Sequence, residues 1–150
     1  MLLKDRLVED MKAAMKAKEE GKVRLSVIRM VRAAIKNAEI EKKTELTDDQ
    51  VIEVLAREVK LRRDAIEEFS KAERLDKVRE LEEEVAILME YLPQQLTEEE
   101  IREMAKEIIA ETGAQGPKDL GKVMGVILPK IKGRADGKLV NQIVRELLNS

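Results

Sequence analysis

Outside its carboxylates and bases, the chain can draw a nucleophile or proton relay from only eight side chains: Ser26, Ser70, Ser150, Thr44, Thr47, Thr97, Thr112 and Tyr91. None stands in a Gly-x-Ser-x-Gly elbow or a Ser-x-x-Lys pair. There is no His and no Cys, so the base or thiol of Ser-His-Asp and Cys-His chemistry does not exist here. The same zeros exclude imidazole–thiolate zinc sites, iron–sulfur clusters, thiol redox chemistry and disulfides. Carboxylate runs such as Glu82-Glu83-Glu84 and Glu98-Glu99-Glu100 read as solvated helix faces, and a magnesium site built from them would be unspecific. No Walker loop or Gly-x-Gly-x-x-Gly stretch is present. One Tyr, one Phe and no Trp leave no stacking platform for single-stranded nucleic acid. No catalytic residue, metal or cofactor is expected.

The bases carry more information. Residues 22–36 hold Lys22, Arg24, Arg29, Arg32 and Lys36 with no acid among them, a net +5. Arg29, Arg32 and Lys36 are three and four apart and share one helix face. Residues 117–145 also net +5, from seven bases (Lys118, Lys122, Lys130, Lys132, Arg134, Lys138, Arg145) against Asp119 and Asp136. Residues 79–103 carry nine Glu against two Arg, a net −7. The overall charge of −2 hides this segregation. Gly121 and Gly125 lie four apart opposite Leu120, Val123, Met124 and Ile127. Glycine inside a helix costs about 0.5–1 kcal/mol relative to alanine, so the pair implies close approach by another backbone. Two readings stand: a packed helix, or a sugar-phosphate backbone contacted with help from Lys118, Lys122 and the Lys132-Gly133-Arg134 loop. The helix starting at Asp136 aims its N-terminus at this loop, a position suited to an anion.

Helices must position these residues, because strand alternation and hairpin signals are nearly absent. Leu3, Leu7, Met11 and Met15 repeat every four residues and predict a first helix over about 2–19, stopped by Gly21. The second begins near Lys22 on Leu25, Ile28, Val31 and Ile35. Thr47 with Gln50 forms a capping box for a third, on Val51, Leu55, Val59, Ile66 and Phe69. A fourth runs over about 74–91 on Leu75, Val78, Leu81, Val85 and Leu88, until Pro93 ends the pattern. Thr97 with Glu100 repeats the capping box for a helix stopping at Gly113, Pro117 opens the next, and Asp136 the last. The expected architecture is all-α: a four-helix domain over 1–95 followed by a three-helix bundle over 96–150. Charges near the N-terminus leave no signal-peptide core, and no apolar window is long enough to span a membrane. A cytoplasmic protein is expected.

Gly121-Lys122-Val123-Met124-Gly125, Lys132-Gly133-Arg134-Ala135-Asp136-Gly137-Lys138, Val140 and Ile143-Val144 together resemble the tail domain of the GatB/YqeY family. That domain closes the B subunit of the aspartyl/glutamyl-tRNA amidotransferase and is appended to some glutaminyl-tRNA synthetases. The first half is similar to free-standing YqeY proteins at Arg29 to Ile40, at Arg62-Arg63-Asp64-Ala65-Ile66-Glu67 and at Tyr91-Leu92-Pro93-Gln94-Gln95-Leu96. Where that family often reads Ala-Gly-Arg, this chain has Ala72-Glu73-Arg74. The resemblance implies an all-helical fold and contact with tRNA. It also brings a family association with carbon–nitrogen ligases that use glutamine as amide donor, although this chain has no amidase Ser-Lys constellation and no ATP-binding motif. The expected function is therefore a tRNA-associated module without chemistry of its own. Its phosphate contacts would be Lys118, Lys122, Lys132, Arg134 and Lys138, extended by Arg29, Arg32 and Lys36. The alternatives are a protein-interaction adaptor and an accessory subunit working with amidotransferase or aminoacyl-tRNA synthetase subunits.

Overall fold

The computed structural model describes residues 1–150 and contains α-helices and 3-10 turns but no strand. The helices are α1 (Leu3–Lys16), α2 (Lys22–Lys42), α3 (Asp48–Lys71), α4 (Leu75–Met89), α5 (Glu98–Thr112), α6 (Leu120–Ile127) and α7 (Gly137–Asn149). Short 3-10 turns cover Lys18–Gly21, Pro117–Asp119 and Leu128–Lys130. The chain divides into two compact units, Met1–Leu92 and Pro93–Ser150.

In the first unit α1 pairs with α2 and α3 with α4, while α2 also packs on both α3 and α4. Leu7, Val27, Ile28, Val31, Ile35, Val51, Leu55, Val59 and Leu88 fill the space between them. Two predicted stripe positions fall outside this core. Each step of four residues overshoots one helical turn by about 40°, so by Met15 the α1 stripe has rotated away from α2. Met15 is 51% exposed, and Ala14 is buried in its place. Leu75, the first residue of α4, is 61% exposed at the turn that joins it to α3. Gly21 does more than stop α1. A Cβ there would overlap the backbone carbonyl of Ala14, so only glycine lets the two helices meet this closely.

Helix ends follow the local chemistry. Thr47 Oγ1 accepts from the Gln50 N–H (3.3 Å) while Gln50 Oε1 accepts from the Thr47 N–H (2.9 Å). Thr97 and Glu100 make the same reciprocal pair at 3.1 and 3.3 Å. α5 ends on Gly113 at φ +70°, but α2 and α3 end on Lys43 and Glu73, each at φ +58°. In the second unit α5, α6 and α7 pack against one another around Ile101, Ala105, Ile108, Val123, Ile127, Ile131, Val140, Ile143 and Val144.

Candidate nucleic-acid interface

α6 is positioned by Val123 and Ile127, both fully buried against α5 and α7. Its opposite side holds Gly121, Lys122 and Gly125, all exposed, with Lys118 exposed in the preceding turn. A Cβ added at Gly121 or Gly125 would meet nothing within 4 Å. Packing within the second unit therefore does not account for either glycine, and their helix backbone lies open beside two lysines.

The Lys132-Gly133-Arg134 turn is pinned from below. Gly133 sits at φ +72°, and its carbonyl accepts from Gln95 Nε2 at 2.7 Å, an amide that also donates to the Pro93 carbonyl at 2.9 Å. The Arg134 carbonyl accepts from the Leu96 N–H at 2.8 Å, and Arg134 Nε donates to the Gln94 carbonyl at 3.2 Å. The Pro93-to-Leu96 segment is thus the clasp that shapes this turn. Lys132 is exposed, Gly133 and Arg134 are half-buried, and one of the five N–H donors of Arg134 is committed to Gln94.

The N-terminus of α7 is not a vacant anion site. The Asp136 carboxylate caps it, accepting from the Lys138 N–H at 3.0 Å, and a carboxylate already placed there repels a second anion. Nor do the predicted bases converge. The Pro117–Asp119 turn lies against the C-terminal end of α7, where Pro117, Leu120, Arg145, Leu148 and Asn149 surround a depression of about 260 Å³. Lys132, Gly133, Arg134 and Lys138 lie at the opposite end, where the chain passes from α6 into α7. Gly121, Lys122 and Gly125 lie between, on a helix about 12 Å long at 1.5 Å per residue. The bases follow the length of the bundle.

In the first unit, Arg29, Arg32 and Lys36 are exposed on one face of α2. They line a groove of about 460 Å³ between α1 and α2. Arg32 Nη1 lies 3.2 Å from Met11 Sδ. Lys4 Nζ bridges the two helices to Glu39 Oε2 at 2.6 Å, and the same oxygen accepts from the Leu46 N–H at 2.9 Å. The hydrogen bond from Lys4, joined by the one from Leu46, holds the Glu39 carboxyl below its ordinary range, and the bond to Glu39 raises the Lys4 ammonium above its own.

Sequence reasoning passed over two polar clusters. Tyr91 is 2% exposed and donates its hydroxyl to Asp10, with the Arg6 guanidinium 4.5 Å above its ring. Beside it, Arg24 forks onto both oxygens of Glu90 at 3.1 and 2.9 Å. Arg62, 5% exposed, donates through Nε to Glu84 at 2.8 Å and through Nη1 to the Glu58 carboxylate at 2.9 Å. The available signal was spacing, since Arg62 stands three residues after Val59 and four before Ile66, inside the apolar stripe.

These features define a class: a small all-helical protein whose second unit is a three-helix bundle with an open glycine face and bases along its length. The Yqey-like protein family model matches residues 4–148, and the chain belongs to that family. Altered inheritance of mitochondria protein 41, mitochondrial, from Pyrenophora tritici-repentis is 33% identical over 148 residues, 97% of this chain and 80% of that protein. The E subunit of the glutamyl-tRNA(Gln) amidotransferase from Thermococcus gammatolerans is 32% identical over 109 residues, 67% of this chain and 16% of that subunit. The corresponding amidotransferase subunit from Methanospirillum hungatei is 38% identical over 58 residues, 36% of this chain and 9% of that subunit. The chain therefore matches only a small part of the amidotransferase subunits. The Thermococcus match is longer than Pro93–Ser150, so it extends into the first unit. No helix is long and apolar enough to cross a membrane.

Proposed function

We propose that the protein is a cytoplasmic, non-catalytic module that associates with tRNA, meeting its sugar-phosphate backbone on the glycine side of α6. The observation that carries this reading is the open face at Gly121 and Gly125. Two glycines weaken a short helix, nothing in the second unit packs on them, and a partner's backbone is what bare helix backbone admits. Lys118 and Lys122 flank that face, and Lys132, Arg134 and Lys138 extend the line of bases past it. Arg29, Arg32 and Lys36 add cations in the first unit. Similarity to subunits named for an amidotransferase acting on glutamyl-tRNA(Gln) supports the choice of tRNA.

The test is tRNA binding by the full chain from low to physiological salt. Log affinity should fall with log salt at about 0.9 per phosphate neutralised on duplex and about 0.7 on single strands. Lys118→Glu with Lys122→Glu, at exposed positions, should weaken binding several-fold. Gly125→Ala should raise helix stability by about 0.5–1 kcal/mol and yet lower affinity, a combination that packing within the chain does not produce. Absence of binding at every salt concentration, or affinity indifferent to these substitutions, overturns the reading.

A second reading is favoured by similarity to one part of a much longer subunit: an accessory or adaptor piece of a glutamine-dependent carbon–nitrogen ligase assembly. Native pull-down followed by nuclease separates the two. Amidotransferase or synthetase subunits that stay bound after RNA is destroyed favour the assembly.

A further inference from the structure

We propose that the groove between α1 and α2 is a binding site for a nucleotide moiety, its phosphate held by Arg29, Arg32 and Lys36. The three cations stand at i, i+3 and i+7 on one exposed face of α2, and Arg29 and Lys36 take part in none of the ion pairs of the first unit. Like charges at this spacing repel one another, and a bound dianion relieves that repulsion. Arg presents N–H groups in a fork that matches phosphate oxygens.

The remaining lining asks for more than an inorganic ion. At about 460 Å³ the groove lies within the range of small-molecule sites. Leu7, Val8 and Ala33 give it apolar surface, and the one-carbon side chain of Ala33 leaves the hollow among the three bases. Asp5 lines the same groove from α1 and supplies an acceptor for a ribose hydroxyl or a base N–H. That carboxylate also disfavours an acidic peptide, which has anions where a nucleotide has donors. The groove is preformed, because the Lys4–Glu39 bridge ties α1 to α2 and the Leu46 N–H anchors Glu39. The nucleotide could be free or part of an RNA strand, and the chemistry recognised is the same. The inference rests on the first unit and does not need the α6 interface.

The experiment is a ¹H–¹⁵N titration of the full chain with adenosine monophosphate, adenosine, inorganic phosphate, a single-stranded RNA hexamer and an oligoglutamate peptide. Adenosine monophosphate or the hexamer should perturb amides around Asp5 and Ala33 at concentrations at least tenfold below those needed for phosphate or adenosine. A response to the monophosphate identifies a free nucleotide, and a response to the hexamer alone identifies a strand. Arg29→Gln with Lys36→Gln should weaken this at least tenfold, and Ala33→Leu should block it by filling the hollow. With adenosine monophosphate, shifts confined to amides of α1 and α2 and absent around Gly121 and Gly125 separate this result from the fate of the α6 interface. Inorganic phosphate or oligoglutamate binding as tightly as the monophosphate would overturn the proposal. So would an absence of groove shifts with every ligand.

Discussion

Tyr91 shows how much one side chain can report in a chain so poor in rings. Burial, and then its hydrogen bond to Asp10, push the phenol well above its ordinary value. Because the folded state favours the neutral phenol, its contribution to stability is full below the unfolded value of about 10. It is lost as pH rises through the raised value. There is one Tyr and no Trp, so tyrosinate absorbance reads this group alone. It should stay silent until the helices melt at alkaline pH, and Tyr91→Phe should remove that alkaline loss of stability. Tyrosinate forming near pH 10 with helicity intact would contradict the assignment. This cluster was not legible beforehand, and spacing marked the place of Arg62 in an apolar stripe without its partners, for one reason. A base or phenol is buried only where its partners converge, and Glu84 and Asp10 come from distant parts of the chain.

Among the helices, the most testable feature is the end of α3. Glu73 donates its N–H to the Ser70 carbonyl (3.1 Å) and Arg74 to that of Phe69 (2.9 Å), the paired bonds of a Schellman turn. The turn holds Glu73 at φ +58°, a region that costs a residue with a Cβ about 1–2 kcal/mol. Glu73→Gly should therefore raise unfolding stability by about 0.5–1 kcal/mol in urea, the gain being trimmed by the looser unfolded chain. Much at this level could be read from spacing. Both capping boxes, the stop at Gly113 and the helical stripes depend on residues within a few positions of one another. Spacing failed where a neighbour in space decides. It could not show that Gly21 is the glycine against a backbone, that Gly121 and Gly125 are open, or that Asp136 fills the anion position before α7. It placed the basic residues on helix faces and turns without showing that those of the second unit string out along the bundle.

For the chain as a whole, two cores and a segregated charge pattern lie behind the near-neutral total. Each unit has its own buried cluster, and we expect Pro93–Ser150 to fold alone with a cooperative thermal transition followed by circular dichroism. A shorter piece starting at Thr97 should be less stable by about 3 kcal/mol. It lacks the three clasp bonds, from Gln95, from Leu96 and to Gln94, each worth about 1 kcal/mol. Equal stability of the two pieces would show that the clasp contributes nothing. The clasp also carries a chemical lifetime. Gln95 holds two carbonyl oxygens, those of Pro93 and Gly133, with one amide nitrogen. Deamidation would replace that nitrogen with oxygen, leaving a carboxylate facing both carbonyls and no donor for either. An ageing molecule would then lose one of the three bonds that shape the 132–134 turn through a change of one dalton, with every base still in its sequence.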